Sequence, residues 1–205
     1  MQKVFILWFM VLFSLIVSGC SDKSDTKEEI KTTKQADIIK AGTKITLHDI
    51  SSGAQYTLKR LENGFVVEGH EDKVIMFDFY ATYCPPCKKE APHLTDLQVK
   101  YSDKLLIIAL NTFEEVDNKF VDTKFRYKYS AYYFISNSKD NERIIQSVLK
   151  DIKYDRVMQI PFKVVLKNGV YQKLTDIYDG NPNNMYYIGA VETSVIEKDL
   201  KKIWQ

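Results

Sequence analysis

Apolar runs and polar punctuation alternate along this chain in the manner of an α/β protein. Ile45-Thr46-Leu47 and Tyr56-Thr57-Leu58 flank the turn residues Ser51-Ser52-Gly53, which predicts an opening β-hairpin. Val74-Ile75-Met76-Phe77-Asp78-Phe79-Tyr80 is an almost continuous apolar run, as in a strand buried on both faces of a parallel or mixed sheet, and only Asp78 interrupts it. From Cys87 to Tyr101, Ala91, Leu94, Leu97 and Val99 recur at near-helical spacing among charged residues, behind prolines that suit a helix's first turn. Leu105-Leu106-Ile107-Ile108-Ala109-Leu110 is a second buried strand, close enough to that helix to complete a βαβ unit.

The pattern is less regular beyond this unit. Thr112–Tyr129 is polar and aromatic with helical content, Ala131–Ile135 reads as a strand, and Asn141–Ile152 reads as a helix. After Pro161, Phe162–Leu166 and Val170–Leu174 surround Lys167-Asn168-Gly169, a specific hairpin signal. A last helix is expected over about Met185–Trp204. Tyr127, Tyr129, Tyr132, Tyr133 and Phe134 read as packing around an irregular segment, with a partner surface as the alternative.

Composition leaves room for one full-sized core: 205 residues, 45% hydrophobic and 27% charged, suit a single domain plus a leader. The 29 basic and 27 acidic residues are mixed along the chain, so there is no electrostatic footprint for nucleic acid. Lys3, the apolar run Val4–Val17 and the small residues Ser18-Gly19 before Cys20 describe a secretory signal better than a spanning helix, which needs about 20 apolar residues. Val17-Ser18-Gly19-Cys20 also resembles the bacterial lipobox. That resemblance implies removal of residues 1–19 and a lipid on Cys20, anchoring the chain to a membrane. An ordinary cleavage site or a retained anchor are the alternatives. The polar stretch after Cys20 suits a flexible tether, taken as residues 20–42, with the folded domain at 43–205.

Cys84 and Cys87 carry the candidate chemistry. At the junction of a buried strand and a helix N-terminus, free backbone N–H groups and the positive end of the helix dipole stabilise a thiolate. Cys84 is then the nucleophile, and Cys87, one turn into the helix and expected to be less exposed, resolves the mixed disulfide. Pro85 and Pro86 stiffen the loop and remove two backbone donors near the sulfur. Asp78 is costly to bury without a task; behind Cys87 it would take that thiol's proton, the alternative being a position at solvent or against a structural lysine. A zinc site lacks its second half, since His48, His70 and His93 show no paired spacing. A purely structural disulfide gains little from so short a loop.

The segment Phe77-Asp78-Phe79-Tyr80-Ala81-Thr82-Tyr83-Cys84-Pro85-Pro86-Cys87-Lys88-Lys89-Glu90-Ala91-Pro92 resembles the active-site segment of the thioredoxin superfamily. Cys84, Cys87, the buried acid Asp78 and Pro92 each match a family position, while Glu90 and the leader point to the TlpA-like and ResA-like branch of membrane-tethered thiol-disulfide oxidoreductases. Tyr83 departs from the family's usual tryptophan, which bears on partner preference. The resemblance implies a thioredoxin-like fold, a central mixed β-sheet flanked by helices, with the N-terminal hairpin added and an insertion at about 112–155 before the cis-proline strand. It implies a cis bond at Ile160-Pro161, with Ile160 beside Tyr83, Pro85 and Pro86 in binding the substrate chain. It also implies disulfide exchange with substrate proteins, no cofactor or metal, and electrons from a membrane thiol relay, often for cytochrome c maturation. The domain would then lie on the periplasmic or extracellular side of the bacterial envelope. The direction of electron flow stays open between reduction, oxidation and isomerisation.

Overall fold

In the computed structural model, which describes residues 37–205, the opening hairpin forms as β1 (Lys44–His48) and β2 (Gln55–Arg60), paired antiparallel. The expected signal segment, Cys20 and most of the expected tether lie outside the described residues. An unanticipated β3 (Phe65–Val67) pairs with β2, so the hairpin is a three-stranded sheet. The packed unit also begins earlier than residue 43. Ile39 is 2% exposed, its N–H bonds Ser147 Oγ at 3.0 Å, and its carbonyl accepts from Arg60 Nε.

The second sheet runs in the order β6-β5-β4-β7-β8, with β9 also on the outer side of β7. Its centre is β4 (Val74–Tyr80) and β5 (Leu105–Asn111), parallel and without an exposed residue, as the two continuous apolar runs predict. Between them α1 (Pro85–Lys100) forms the crossover. Gln98 on α1 bonds the carbonyl of Leu105 and the N–H of Ile107 through its side-chain amide, satisfying the edge of β5 that β6 does not reach. The irregular segment folds as α2 (Asn118–Val121), a π-helical turn (Asp122–Arg126) and α3 (Tyr127–Tyr129). Strand β6 (Phe134–Ser136) starts three residues later than expected, because Ala131 N–H closes onto Arg126 and Tyr132 N–H onto Thr95 Oγ1. The aromatic cluster divides: Tyr133 and Phe134 are buried, whereas Tyr127 and Tyr132 are exposed.

After α4 (Asn141–Asp151), β7 (Phe162–Lys167) returns antiparallel to β4. Asn168 and Gly169 both have positive φ, 53° and 77°, the type I′ geometry that the Asn-Gly pair favours. The following β8 (Val170–Tyr171) is shorter than expected, since Leu174 N–H bonds Asn184 rather than continuing the ladder. The last helix is also shorter than its sequence signal. Tyr186–Ile188 forms β9 against Phe162–Val164, and α5 (Thr193–Trp204) begins only after Gly189, whose φ is 73°. The Tyr-Tyr-Ile triplet has strong strand preference, and an open stretch of β7 is available to it.

Two cores result. One lies between the large sheet and α1 with α5; the other packs the opposite face against β1–β3 and α4. Along β4, Met76 and Tyr80 belong to the first core and Ile75, Phe77 and Phe79 to the second, so the period of two turns Asp78 toward α1.

A disulfide at a helix N-terminus as candidate active site

The loop Ala81–Cys84 leaves the C-terminal end of β4 and ends as α1 begins, with Cys84 at the N-cap and Pro85 and Pro86 as the first two helical residues. Both prolines fit there because the first-turn N–H groups have no intrahelical partner. Cys84 and Cys87 are joined as a disulfide, with Cα atoms 5.3 Å apart. The first backbone donor left by the prolines, Cys87 N–H, points at Cys84 Sγ at 3.3 Å. Exposure does not separate the two sulfurs as expected, since each cysteine is 4% exposed. Their distinction lies in position: Cys84 receives the N–H and the dipole's positive end, while Cys87 is inside the first turn. Tyr83 is 56% exposed beside them, Pro85 is exposed and Pro86 half-buried.

The Ile160-Pro161 peptide is cis. The last registered pair between β4 and β7 is Phe79 with Phe162, which puts Pro161 at the end of the sheet from which the cysteine loop departs. Ile160 is half-buried and packs against both cores. Pro161 O accepts from Gly189 N–H at 2.8 Å, so β9 braces this turn. The sequence therefore places Cys84, Cys87, Tyr83, Pro85 and Pro86 in one loop, and the fold brings Ile160 and Pro161 to the same sheet end.

Asp78 lies beneath this loop, 2% exposed, and is in register with Lys163 on β7. Lys163 is fully buried; its Nζ is 2.6 Å from Glu90 Oε2 on α1 and 3.7 Å from Asp78 Oδ1. Glu90 Oε1 also accepts from Val191 N–H at 3.2 Å. Burial pushes the Asp78 carboxyl up to about 7; the Lys163 ammonium pulls against this and the Glu90 charge adds to it. Asp78 Oδ1 accepts no hydrogen bond. A buried carboxyl poised near neutrality beneath a thiol pair is able to take and return a proton there.

Two contributors escaped sequence reasoning. Lys163 is a charge inside the apolar run Phe162–Leu166, the same signal that singled out Asp78, and its partners emerge only from the strand register. Glu114, in the loop after β5, accepts from both the N–H and, at 2.6 Å, the Oγ of Thr82, two residues before Cys84. Nothing in the local pattern marks Glu114, because the contact spans 32 positions. His93 is an exposed residue of α1, and among the described residues no three His, Cys, Asp or Glu side chains gather as a metal-binding group.

The Thioredoxin family model matches residues 60–147, the stretch that contains β4, the cysteine loop, α1 and β5. Over that stretch the chain is similar to the thioredoxin family. Among curated relatives, Thioredoxin-T of Drosophila melanogaster is 45% identical over 47 residues, covering 23% of this chain and 30% of that protein. Thiol-disulfide oxidoreductase ResA of Oceanobacillus iheyensis is 32% identical over 75 residues, covering 35% of this chain and 36% of that protein. The chain thus spans about a third of the length of these thioredoxin relatives. A crystal structure of a putative thiol:disulfide interchange protein DsbE from Chlorobium tepidum superposes with a TM-score of 0.51 over 83% of this chain and 99% of that one. At 15% identity that likeness speaks for the thioredoxin-like fold alone.

Proposed function

We propose that this protein is a thiol-disulfide oxidoreductase that cycles Cys84 and Cys87 between dithiol and disulfide. The observation that carries the proposal is the bonded pair at the N-terminus of a 16-residue helix, with a backbone N–H on Cys84 Sγ and a proton-labile acid beneath. Cys84 is the attacking sulfur. In the reductive direction its thiolate attacks a substrate disulfide, forming a mixed disulfide and releasing one substrate thiolate. Cys87 then gives its proton to Asp78 and attacks Cys84 Sγ, restoring the bond seen here and releasing the second substrate thiol. Pro161, Ile160 and Tyr83 flank the extended substrate chain, and Pro85 and Pro86 hold the loop between the sulfurs.

The work is the reduction of disulfides in substrate proteins outside the cytoplasm, with cytochrome c maturation as one setting and a membrane thiol relay as donor. The signal-like leader, the lipobox-like Val17-Ser18-Gly19-Cys20 and the ResA relative support this placement. No helix of the described residues is long and apolar enough to cross a membrane. In this reading the lipid on Cys20 anchors the chain. The test is turnover of a protein disulfide together with redox equilibration against glutathione. Cys84→Ser abolishes turnover and Cys87→Ser accumulates the mixed disulfide; equal turnover in both variants overturns the roles. About 30 mV of potential is worth about 1.4 kcal/mol, so a strongly oxidising equilibrium overturns the reductive direction.

A further inference from the structure

The helical stretch Asn118–Tyr129, formed by α2, the π-helical turn and α3, is buried on one side only. Val121 and Phe125 face the core, Phe125 against the rings of Tyr80 and Tyr129. Phe120, Thr123, Lys124, Tyr127 and Lys128, spaced as one outer helix face, are all exposed. Tyr132 extends that face beyond the turn, its ring 6.3 Å from that of Tyr127. Phe120, Tyr127 and Tyr132 are 42%, 60% and 54% exposed, and three large rings left open on one face mark an interaction surface.

Charge is segregated over the same segment. Asp117 caps the helix at Phe120 N–H, Asp122 accepts from Ser51 Oγ, and Glu114 holds Thr82, so these carboxylates are engaged within the protein. Glu115 lies ahead of the helix. Lys119, Lys124 and Lys128 are exposed, and among the described residues none pairs with an acid; Asp122 faces Arg126 instead. Lysines and aromatic rings interleaved on one face, with no acid among them, suit an anionic bilayer: ammonium groups meet lipid phosphates while rings enter the headgroup layer. Cys20 and Asp37 are about 17 positions apart, a chain that reaches about 60 Å at most, so a domain anchored at Cys20 stays close to such a surface.

We propose that this helix face is a membrane-docking surface whose partner is the anionic phospholipid surface of the bilayer to which the chain is anchored. The inference rests on the anchored reading above and is independent of disulfide exchange. Docking also orients the disulfide. Lys88 of α1 reaches the carbonyl of Tyr83 at 3.3 Å and lies 5.6 Å from the ring centre of Tyr129, so the cysteine loop adjoins the docked segment. Thr95 Oγ1 of α1 donates to Ser130 O and accepts from Tyr132 N–H, fixing the segment against the same helix. The cysteine pair is thereby held beside the bilayer, where membrane-held thiols can meet it.

The test is lysine footprinting of the full chain reconstituted into vesicles of phosphatidylcholine, with or without phosphatidylglycerol. A water-soluble acetylating reagent labels exposed lysines, and mass spectrometry reads each site. Lys119, Lys124 and Lys128 should label about fivefold or more slowly on the anionic vesicles, since one lysine near an anionic surface is worth about a fivefold change in partition. Lys59 on β2 and Lys201 on α5, both exposed, should label alike on the two vesicles. Raised salt should erase the contrast. The double variant Lys124→Gln/Lys128→Gln should abolish the protection of Lys119, and Phe120→Ser should weaken it. Equal labelling on both vesicles overturns the proposal, as does protection that survives the double variant. Protection in detergent without vesicles shows contact with another protein chain and also overturns it. A chain that does not co-float with vesicles sinks the anchored reading; labelling with excess anionic vesicles added from outside then decides the docking by the same contrast.

Discussion

Two buried acid–base clusters behave in opposite ways. Asp49, just after β1, receives a two-pronged contact from Arg126, at 2.9 Å and 2.6 Å, and backbone N–H bonds from Ser51, Ser52 and Ile135. Burial alone would raise its carboxyl, but the Arg126 guanidinium and these N–H groups hold it well below the usual range. Asp78 is enclosed more completely, has a shared ammonium at 3.7 Å and an oxygen with no donor, and its carboxyl is pushed up to about 7. Depth and the number of donors aimed at the charged form together separate the two carboxyls. Arg126 joins the π-helical turn to the N-terminal hairpin; Lys163 joins three elements in the layer beneath α1.

The comparison breaks most sharply at Arg126. Arg126→Met leaves the Asp49 carboxylate buried and unpaired, and urea unfolding should show a loss of about 3–5 kcal/mol. Unchanged stability would mean that the hairpin lock is dispensable. Asp78→Asn cannot take a proton, so mixed-disulfide decay should slow on the order of 10²-fold in stopped flow. A wild-type rate removes Asp78 from the proton step.

Opposite pH slopes of stability sharpen the contrast further. The folded carboxyl of Asp78 lies above its ordinary value of 3.8, so its stabilising contribution is complete below about pH 4 and is lost as pH rises through about 7. Asp78→Asn should accordingly gain about 2 kcal/mol on wild type between pH 5 and pH 8, well within the roughly 1.4 kcal/mol per unit that linkage allows. Asp49 runs the other way: its contribution is present above 3.8 and is lost as acidification approaches its depressed folded value. Parallel pH-stability curves for Asp78→Asn and wild type would erase the distinction. The smallest effect belongs to Glu114→Gln, which weakens a charged clamp on Thr82 and should cost about 1 kcal/mol in thermal unfolding.

Legibility in the sequence followed the range of the interactions. The buried strands β4 and β5, helix α1 and the Asn168-Gly169 turn were readable because a continuous apolar run, a helical period and a positive-φ pair are local signals. Tyr186–Ile188 was misread as helix because its apolar residues also suit a helical period, and the vacant stretch of β7 that captures it lies more than 20 residues away. Strand β3 is three residues long and exists through its pairing with β2, which no short window displays. In the site, the cysteines announced themselves by spacing and Asp78 by its apolar setting. Lys163 carries the same mark within its strand, but no adjacent motif points to it.

By itself, the order of residues determined that a cysteine pair would open a helix behind a buried strand, because spacing, prolines and apolar runs act over a few residues. It also determined that a carboxyl would lie inside that strand. Only the tertiary structure decided the surroundings of that carboxyl. Whether a buried acid stays charged depends on the donors and charges within a few ångströms, and here a cation arrives from β7 and a second anion from α1, set by antiparallel register and helix packing rather than by neighbours in the chain.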